Sequence, residues 1–499
     1  MFQNLFGRTF EKALAGFVIV TLASCATFFS PLAFQSTFWV LLAIVAILGA
    51  WKLQYAVYVF LAEIFFGSQG RLFSVTIHGF SLSLRMGIFI ILLVLWLLQR
   101  KKNALGRIFS TPVGWWLFLL SVLVALGVLI GFLYGSSARF LYFDANAFLF
   151  VLSALWIFAT VRTREHLSDI FQILAASVVF LSLFTLALFF LFSHGYSVVP
   201  EVYRWVRDTR MFEITAMGNN FFRVFSQAQF YSLVAFFLLL PFAVLSPGTF
   251  KQKRGVLLLL FLTSCTLFVS MSRSFWVAAV LIGGAVVLPL FFKLGGTIKK
   301  GAGYVGIFLG AMLFEALLLS FLANFPAISG RPGSPTTLQV LSERSTDTTE
   351  VAATSRYALF SPLLRASLRH PFLGSGFGTT VTYSTRDPRI VTQTGGTYTT
   401  YAFEWGYLDI FLKLGVVGLF VFVGLFVALM RELWSIFLAA KDPLVRFCAL
   451  GLFVAIIVLY ATHALSPYLN HPLGIGLLIL VAALLGVLRS DVSEKTFAP

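Results

Sequence analysis

The residues best suited to chemistry in this chain are arginines, and they are distributed unlike the lysines. Fifteen of 24 arginines (Arg71, Arg85, Arg139, Arg204, Arg207, Arg210, Arg223, Arg273, Arg331, Arg344, Arg356, Arg365, Arg369, Arg386 and Arg389) fall in segments almost free of lysine. The lysines instead gather with the remaining arginines in short alternate loops and at the two termini, and only Lys413 stands apart. Arginine presents a planar fork that grips phosphate oxygens in pairs, whereas lysine is a hydrated point charge. Sorting of this kind points to a phosphate or pyrophosphate ligand on the arginine side. The competing reading is pairing with nearby carboxylates (Asp208, Glu213, Glu343, Asp347, Glu350 and Asp387) and with lipid phosphates. Arg204, Arg207 and Arg210 recur every three residues and would form one basic face of a helix, suited to lipid phosphates or to an anionic headgroup.

Several other chemistries lack their residues. There is no GKS or GKT phosphate loop, no HExxH and no Cys/His cluster, so neither a nucleotide nor a metal cofactor is expected. The first outer loop, Ser30 to Ser36, carries no carboxylate pair. Cys25, Cys265 and Cys448 all lie in apolar runs, where no disulfide framework is expected.

The elements holding these residues must be membrane helices. Hydrophobic residues make up 59% of the 499 and charged residues only 11%, more apolar surface than a soluble core can hide. The runs are continuous rather than alternating, which excludes a β-barrel. The net charge of +17 sits in loops, where its side of the membrane matters more than its sum; a nucleic-acid partner is not expected. The hydropathy predicts an all-α polytopic membrane protein of 12–14 spans, near 13–33, 36–50, 53–67, 84–99, 112–134, 143–161, 168–193, 225–246, 255–271, 274–292, 302–324, 405–430, 445–464 and 472–488. The lysine-bearing loops and both termini are then cytoplasmic and the fifteen arginines external. Two outer segments are long: His194 to Val224, and a large late loop over 325–404 that divides the chain into 1–324, 325–404 and 405–499.

Within the late loop, Ser329 to Thr337 reads as irregular. Ser355 to Arg369 reads as an amphipathic helix with Phe360, Leu363, Leu364 and Leu368 on one face and Arg365 and Arg369 beside it. Thr392 to Thr400 reads as a flexible lid.

Three motifs then carry a resemblance. Arg356 precedes His370-Pro371-Phe372-Leu373-Gly374-Ser375-Gly376-Phe377-Gly378. Glu404-Trp405 is followed, nine residues on, by Gly415-Val416-Val417-Gly418, and Ser272-Arg273-Ser274 lies upstream. Their order over about residues 220 to 430 resembles the O-antigen ligase / O-antigen polymerase superfamily. The resemblance implies a GT-C-like inverting glycosyltransferase in a bacterial inner membrane, working at the periplasmic face without a metal. Its partners would be a glycan on undecaprenyl pyrophosphate, an acceptor glycan or glycolipid, and membrane lipids. Arg273 and Arg356 would hold the pyrophosphate, with Arg223, Arg369, Arg365 and Arg210 as further phosphate ligands. Glu404 stands where the family has histidine, and a carboxylate there can take the acceptor proton. This departure favours a polymerase over a ligase. His370 is expected to be mainly structural. The rival class, a transporter or flippase of a lipid-linked or anionic solute, would be marked by paired half-repeats, and none is legible.

Overall fold

The computed structural model describes residues 5–77, 80–99, 103–218, 220–245, 249–326, 339–340, 342–343, 351–385 and 388–493. The predicted loop at Ser329 to Thr337 lies outside them, as do Arg331, Arg344, Asp347, Glu350, Arg386, Asp387 and the side chain of Arg389.

The first half of the chain runs α1 (Arg8–Thr27), α2 (Pro31–Trp51), α3 (Leu53–Phe66), β1 (Ser74–Ile77), β2 (Phe80–Ser83), α4 (Leu84–Leu98), α5 (Asn103–Phe109), α6 (Pro112–Leu133), α7 (Ala138–Leu149), α8 (Ala154–Thr160) and α9 (Arg164–His194). The long segment after α9 follows with α10 (Val199–Asp208), β3 (Glu213–Gly218) and β4 (Phe221–Phe225). Next come α11 (Gln229–Leu245), α12 (Phe250–Ser270), α13 (Arg273–Ile282), α14 (Leu288–Lys293) and α15 (Ile298–Asn324). The late loop holds α16 (Val351–Ser367), β5 (Val381–Ser384), α17 (Pro388–Thr394) and β6 (Thr397–Thr400). The chain closes with α18 (Gly406–Ala439), α19 (Pro443–His463) and α20 (Pro472–Ser493).

Among the described residues eleven helices are long and apolar enough to cross a membrane, and three shorter apolar helices (α3, α4 and α11) bring the segments to the number read from hydropathy. This is an all-α polytopic membrane protein. Proline at the first turn opens α2, α6 and α19, where its missing N–H costs nothing. A left-handed Gly195 ends α9. α11, α19 and α20 form the packed centre, while α15 turns much of its surface outward.

The only sheets among the described residues are three antiparallel hairpins, β1–β2, β3–β4 and β5–β6. They sit in connections between helices, and two correct the sequence reading. In the segment after His194, α10 carries Arg204 and Arg207 but ends at Asp208, so Arg210 falls outside the expected basic helical face, and a hairpin follows in which Glu213 pairs with Phe225. The predicted lid begins with the end of α17 at Thr394 and is strand over its last four residues, with Val381 paired to Thr400 and Ser384 to Thr397.

Further differences are local. The first outer loop is shorter than expected, because Pro31 already starts α2. In α16 the covered face is Leu359 and Leu363, with Ser367 one turn on, while Phe360 and Leu368 are exposed. That helix packs on the β5–β6 hairpin and α18, so its inward stripe is set by these partners. Arg85 belongs to the interior: its guanidinium pairs with Glu63 at 2.6 Å and donates to the Ser68 carbonyl at 2.8 Å.

Candidate active site

The site is built where two of the sequence motifs lock together. Gly415 takes φ +66° and ψ −166°, which interrupts α18. The break frees backbone groups on both sides, and the His370–Gly378 strap satisfies them. Ser375 and Gly376 donate to the carbonyls of Leu412 and Lys413 at 2.7 and 3.1 Å. Val416 and Val417 donate to the carbonyls of Pro371 and Phe372 at 2.8 and 3.2 Å. A Cβ at Gly415 would run into the Phe372 carbonyl, and one at Gly376 into the Gly131 backbone of α6, so glycine is required at both. His370 is part of this turn: its carbonyl accepts from Gly374 at 3.0 Å, and its ring lies 4.9 Å from that of Tyr134.

One charged cluster lies beneath the strap. Lys413 is buried, pairs with Asp409 at 2.6 Å one turn earlier and with Asp144 of α7, and has Phe403 5.5 Å away. Asp144 also accepts from the Gly378 N–H at 2.8 Å, and Asp409 accepts from Asn470 before α20. One cation thus ties together α7, α18, the strap and the last loop. The sequence reading set Lys413 aside as the lysine inside a span but gave it no partner. Its carboxylates lie at very different separations along the chain, and only Asp409, at i−4, carried a local signal.

A second cluster sits at the head of α18. Arg356 of α16 forms an ion pair with Glu404, and the Trp405 indole donates to the Arg356 carbonyl at 2.9 Å. Trp405 also meets Phe360 edge-on at 5.2 Å. The small apolar core of Leu359, Leu363, Val381, Phe403 and Leu412 fixes α16 over α18. Arg356 and Glu404 both stay accessible, at 35% and 51% of full exposure. Two residues named from sequence for separate roles are therefore in contact.

The remaining arginines are placed differently. Arg365 lies nine residues beyond Arg356, half a turn round the axis of α16, and both Arg365 and Arg369 are exposed. Arg223 of β4 donates to the Ser270 carbonyl at 2.9 Å and lies 4.7 Å over the Phe225 ring, which puts it beside the turn that begins α13 with Arg273. That turn is polar: the hydroxyls of Ser272 and Ser274 are 3.0 Å apart, and Ser274 meets Ser466 at 2.9 Å. Arg210 sits after α10 with φ +56°, in a cavity that also receives Arg71 and Arg207. Among the described residues no group of His, Cys, Asp and Glu could hold a metal ion.

A polytopic helical bundle whose hairpins and late loop gather guanidinium groups and a carboxylate is the class of membrane protein defined by this geometry. Residues 258–423 match the O-antigen ligase family model, and the match supports the O-antigen ligase / O-antigen polymerase superfamily that the motifs resemble. It spans Arg273, Arg356, the strap, Glu404 and the Gly415–Gly418 break, and it supports an enzyme of the lipid-linked glycan ligase or polymerase kind. No curated protein matches the chain.

Proposed function

We propose that the protein is a metal-independent inverting glycosyltransferase of the GT-C kind in a bacterial inner membrane. It would move a glycan from undecaprenyl pyrophosphate to an acceptor hydroxyl at the periplasmic face. The observation that carries this reading is the accessible Arg356–Glu404 pair at the head of α18.

In the resting chain the guanidinium and the carboxylate satisfy each other. An exposed pair is weak, and a diphosphate offers Arg356 more charge and more oxygens. Donor binding then exchanges the partner of Arg356 and releases Glu404. The acceptor oxygen attacks the anomeric carbon from the face opposite the phosphate, and its proton passes to the Glu404 carboxylate. The bond between that carbon and the phosphate oxygen breaks, and the electron pair leaves with undecaprenyl pyrophosphate. Arg356, Arg273 and Arg223 stabilise the charge that gathers on the leaving diphosphate, work that preorganised guanidinium groups perform without a metal. The 325–404 subdomain carries Arg356 and Glu404 together, so its seating on α18 sets the distance between donor and base.

Polymerase and ligase differ here only in acceptor. Incubation of the purified protein in detergent with one lipid-linked repeat unit, and no membrane gradient, tests the reading. A ladder of products indicates polymerase, and a single transfer that needs a second acceptor indicates ligase. Arg356→Ala and Arg273→Ala are expected to abolish turnover with folding retained. Wild-type turnover in both variants removes the mechanism.

A further inference from the structure

A polar cavity of about 510 Å³ opens between the turn after α3, the end of α10 and the β3–β4 hairpin. Arg71 lines it from the turn, and Arg207 and Arg210 line it from the end of α10 and the residues after it. Its lining includes none of Arg223, Arg273, Arg356 and Glu404, the residues of the transfer mechanism. Among the described residues none of Arg71, Arg207 and Arg210 forms an ion pair, and Asp208 of the same wall pairs instead with Arg204 at 3.9 Å. Guanidinium groups around one space repel one another, and a phosphate between them relieves that cost and offers oxygens to each fork. Two of the lining residues, Ser68 and Arg210, are held at positive φ, a costly backbone state away from glycine and one that gathers at binding sites.

The walls are fastened to the ends of apolar helices. Ser24, in the last turn of α1, donates its hydroxyl to the carbonyl of Leu72, beside Arg71, at 2.9 Å and accepts from the Trp205 indole of α10 at 3.1 Å. One buried hydroxyl thus holds the turn and α10 together. The Ser68 carbonyl accepts at 2.8 Å from Arg85 in the first turn of α4, and Arg85 pairs with Glu63 in the last turn of α3. α10 follows the end of α9 across a short turn. The cavity therefore lies where α1, α3 and α9 end and α4 begins, the level at which apolar helices give way to lipid headgroups.

We propose that this cavity binds the phosphodiester headgroup of an anionic bilayer lipid, which clamps the turn of Arg71 to the segment of Arg207 and Arg210. Basic pockets between membrane helices recognise such headgroups. The wall itself favours this source over the donor. Asp208 and Glu213 share the lining, and their carboxylates oppose a multiply charged diphosphate more strongly than a singly charged phosphodiester. The proposal assigns Arg210 to a bilayer lipid rather than to the donor diphosphate, and it stands apart from the glycan-transfer reading.

The test uses the purified full-length protein in detergent, with native mass spectrometry to measure the dissociation constants of dioleoyl phosphatidylglycerol, dioleoylglycerol, inorganic phosphate and farnesyl diphosphate. Phosphatidylglycerol is expected to bind about tenfold or more tighter than either inorganic phosphate or dioleoylglycerol, because it alone joins the phosphodiester to acyl chains. Arg71→Ala/Arg210→Ala is expected to weaken it about tenfold or more. Should that variant fail to fold, Arg71→Lys/Arg210→Lys keeps the charge, loses the fork and is expected to bind about threefold or more weaker. Arg365→Ala/Arg369→Ala removes as much exposed charge from another surface and is expected to leave phosphatidylglycerol binding unchanged. Phosphatidylglycerol that binds the folded Arg71/Arg210 variants like wild type overturns the proposal. So does an equal loss in Arg365→Ala/Arg369→Ala, because any surface charge would then serve. Inorganic phosphate bound as tightly as the lipid overturns it in favour of a free anion. Farnesyl diphosphate that depends on Arg71 and Arg210 more strongly than phosphatidylglycerol does overturns it in favour of the donor.

Discussion

Glu404 and Lys413 lie nine residues apart, yet their charged clusters are built in opposite ways. Arg356–Glu404 is wet, a single pair that water reaches from both sides. Asp144–Lys413–Asp409 is dry, and its remaining oxygens take hydrogen bonds from Gly378 and Asn470. An exposed pair is worth about 0–1 kcal/mol, so a ligand can part it. A buried one is hard to break, because whichever partner remains is left as an uncompensated charge. The first is arranged for exchange and the second for holding. The strap couples them, since Ser375 and Gly376 donate to the carbonyls of Leu412 and Lys413, on the helix that Glu404 precedes.

The sharpest way to break this contrast is Lys413→Met. It strands two carboxylates and is expected to cost about 3–5 kcal/mol, read from thermal melting in detergent. The triple variant with Asp144→Asn and Asp409→Asn should recover much of that loss. A single variant that melts with wild type would erase the distinction. The mirror case is Glu404→Gln, expected to lower transfer by about 10²–10⁴-fold while stability moves by no more than about 1 kcal/mol. Full activity in that variant would show that Glu404 is not the base.

Acid probes the dry interior by another route. His471, just ahead of α20, has its pKa pushed down to about 3 by burial and then by Arg85. Its charged form is penalised only in the folded state, so the unfolded chain binds the extra proton between the two pKa values. Stability is complete above the unfolded value of about 6.5 and falls with pH below it, by up to about 1.4 kcal/mol per unit until about 3. Melting curves from pH 7 to 5 should show this slope, and His471→Asn should reduce it by the part that this residue contributes. The smallest effect belongs to Arg365→Ala and Arg369→Ala, whose side chains are exposed and away from Arg356: about 0.5 kcal/mol or less in stability, with turnover close to wild type. A large loss of turnover in either would put the diphosphate on the opposite side of α16.

How much was legible follows from which forces act locally. The spans were readable because each must satisfy its own backbone in lipid, so length and apolarity declare them one at a time. The motifs marked Arg273, Arg356 and Glu404, but not that Arg356 and Glu404 touch. Short hairpins such as β3–β4 and β5–β6 gave too little alternation to be recognised, and α16 showed the wrong stripe because its buried face depends on what lies beneath it. The cavity of Arg71, Arg207 and Arg210 joins a turn near residue 70 to a hairpin near 215, a distance along the chain that periodicity does not bridge.

What the amino-acid order determined by itself is the solvent, the polytopic helical class and the chemical stock: guanidinium groups gathered outside the apolar runs, and glycines at fixed intervals. Tertiary structure decided which charges would be shielded and which left open to water. Burial is a property of neighbours brought from elsewhere in the chain, and a lysine reads the same in sequence whether it ends against two carboxylates or against water.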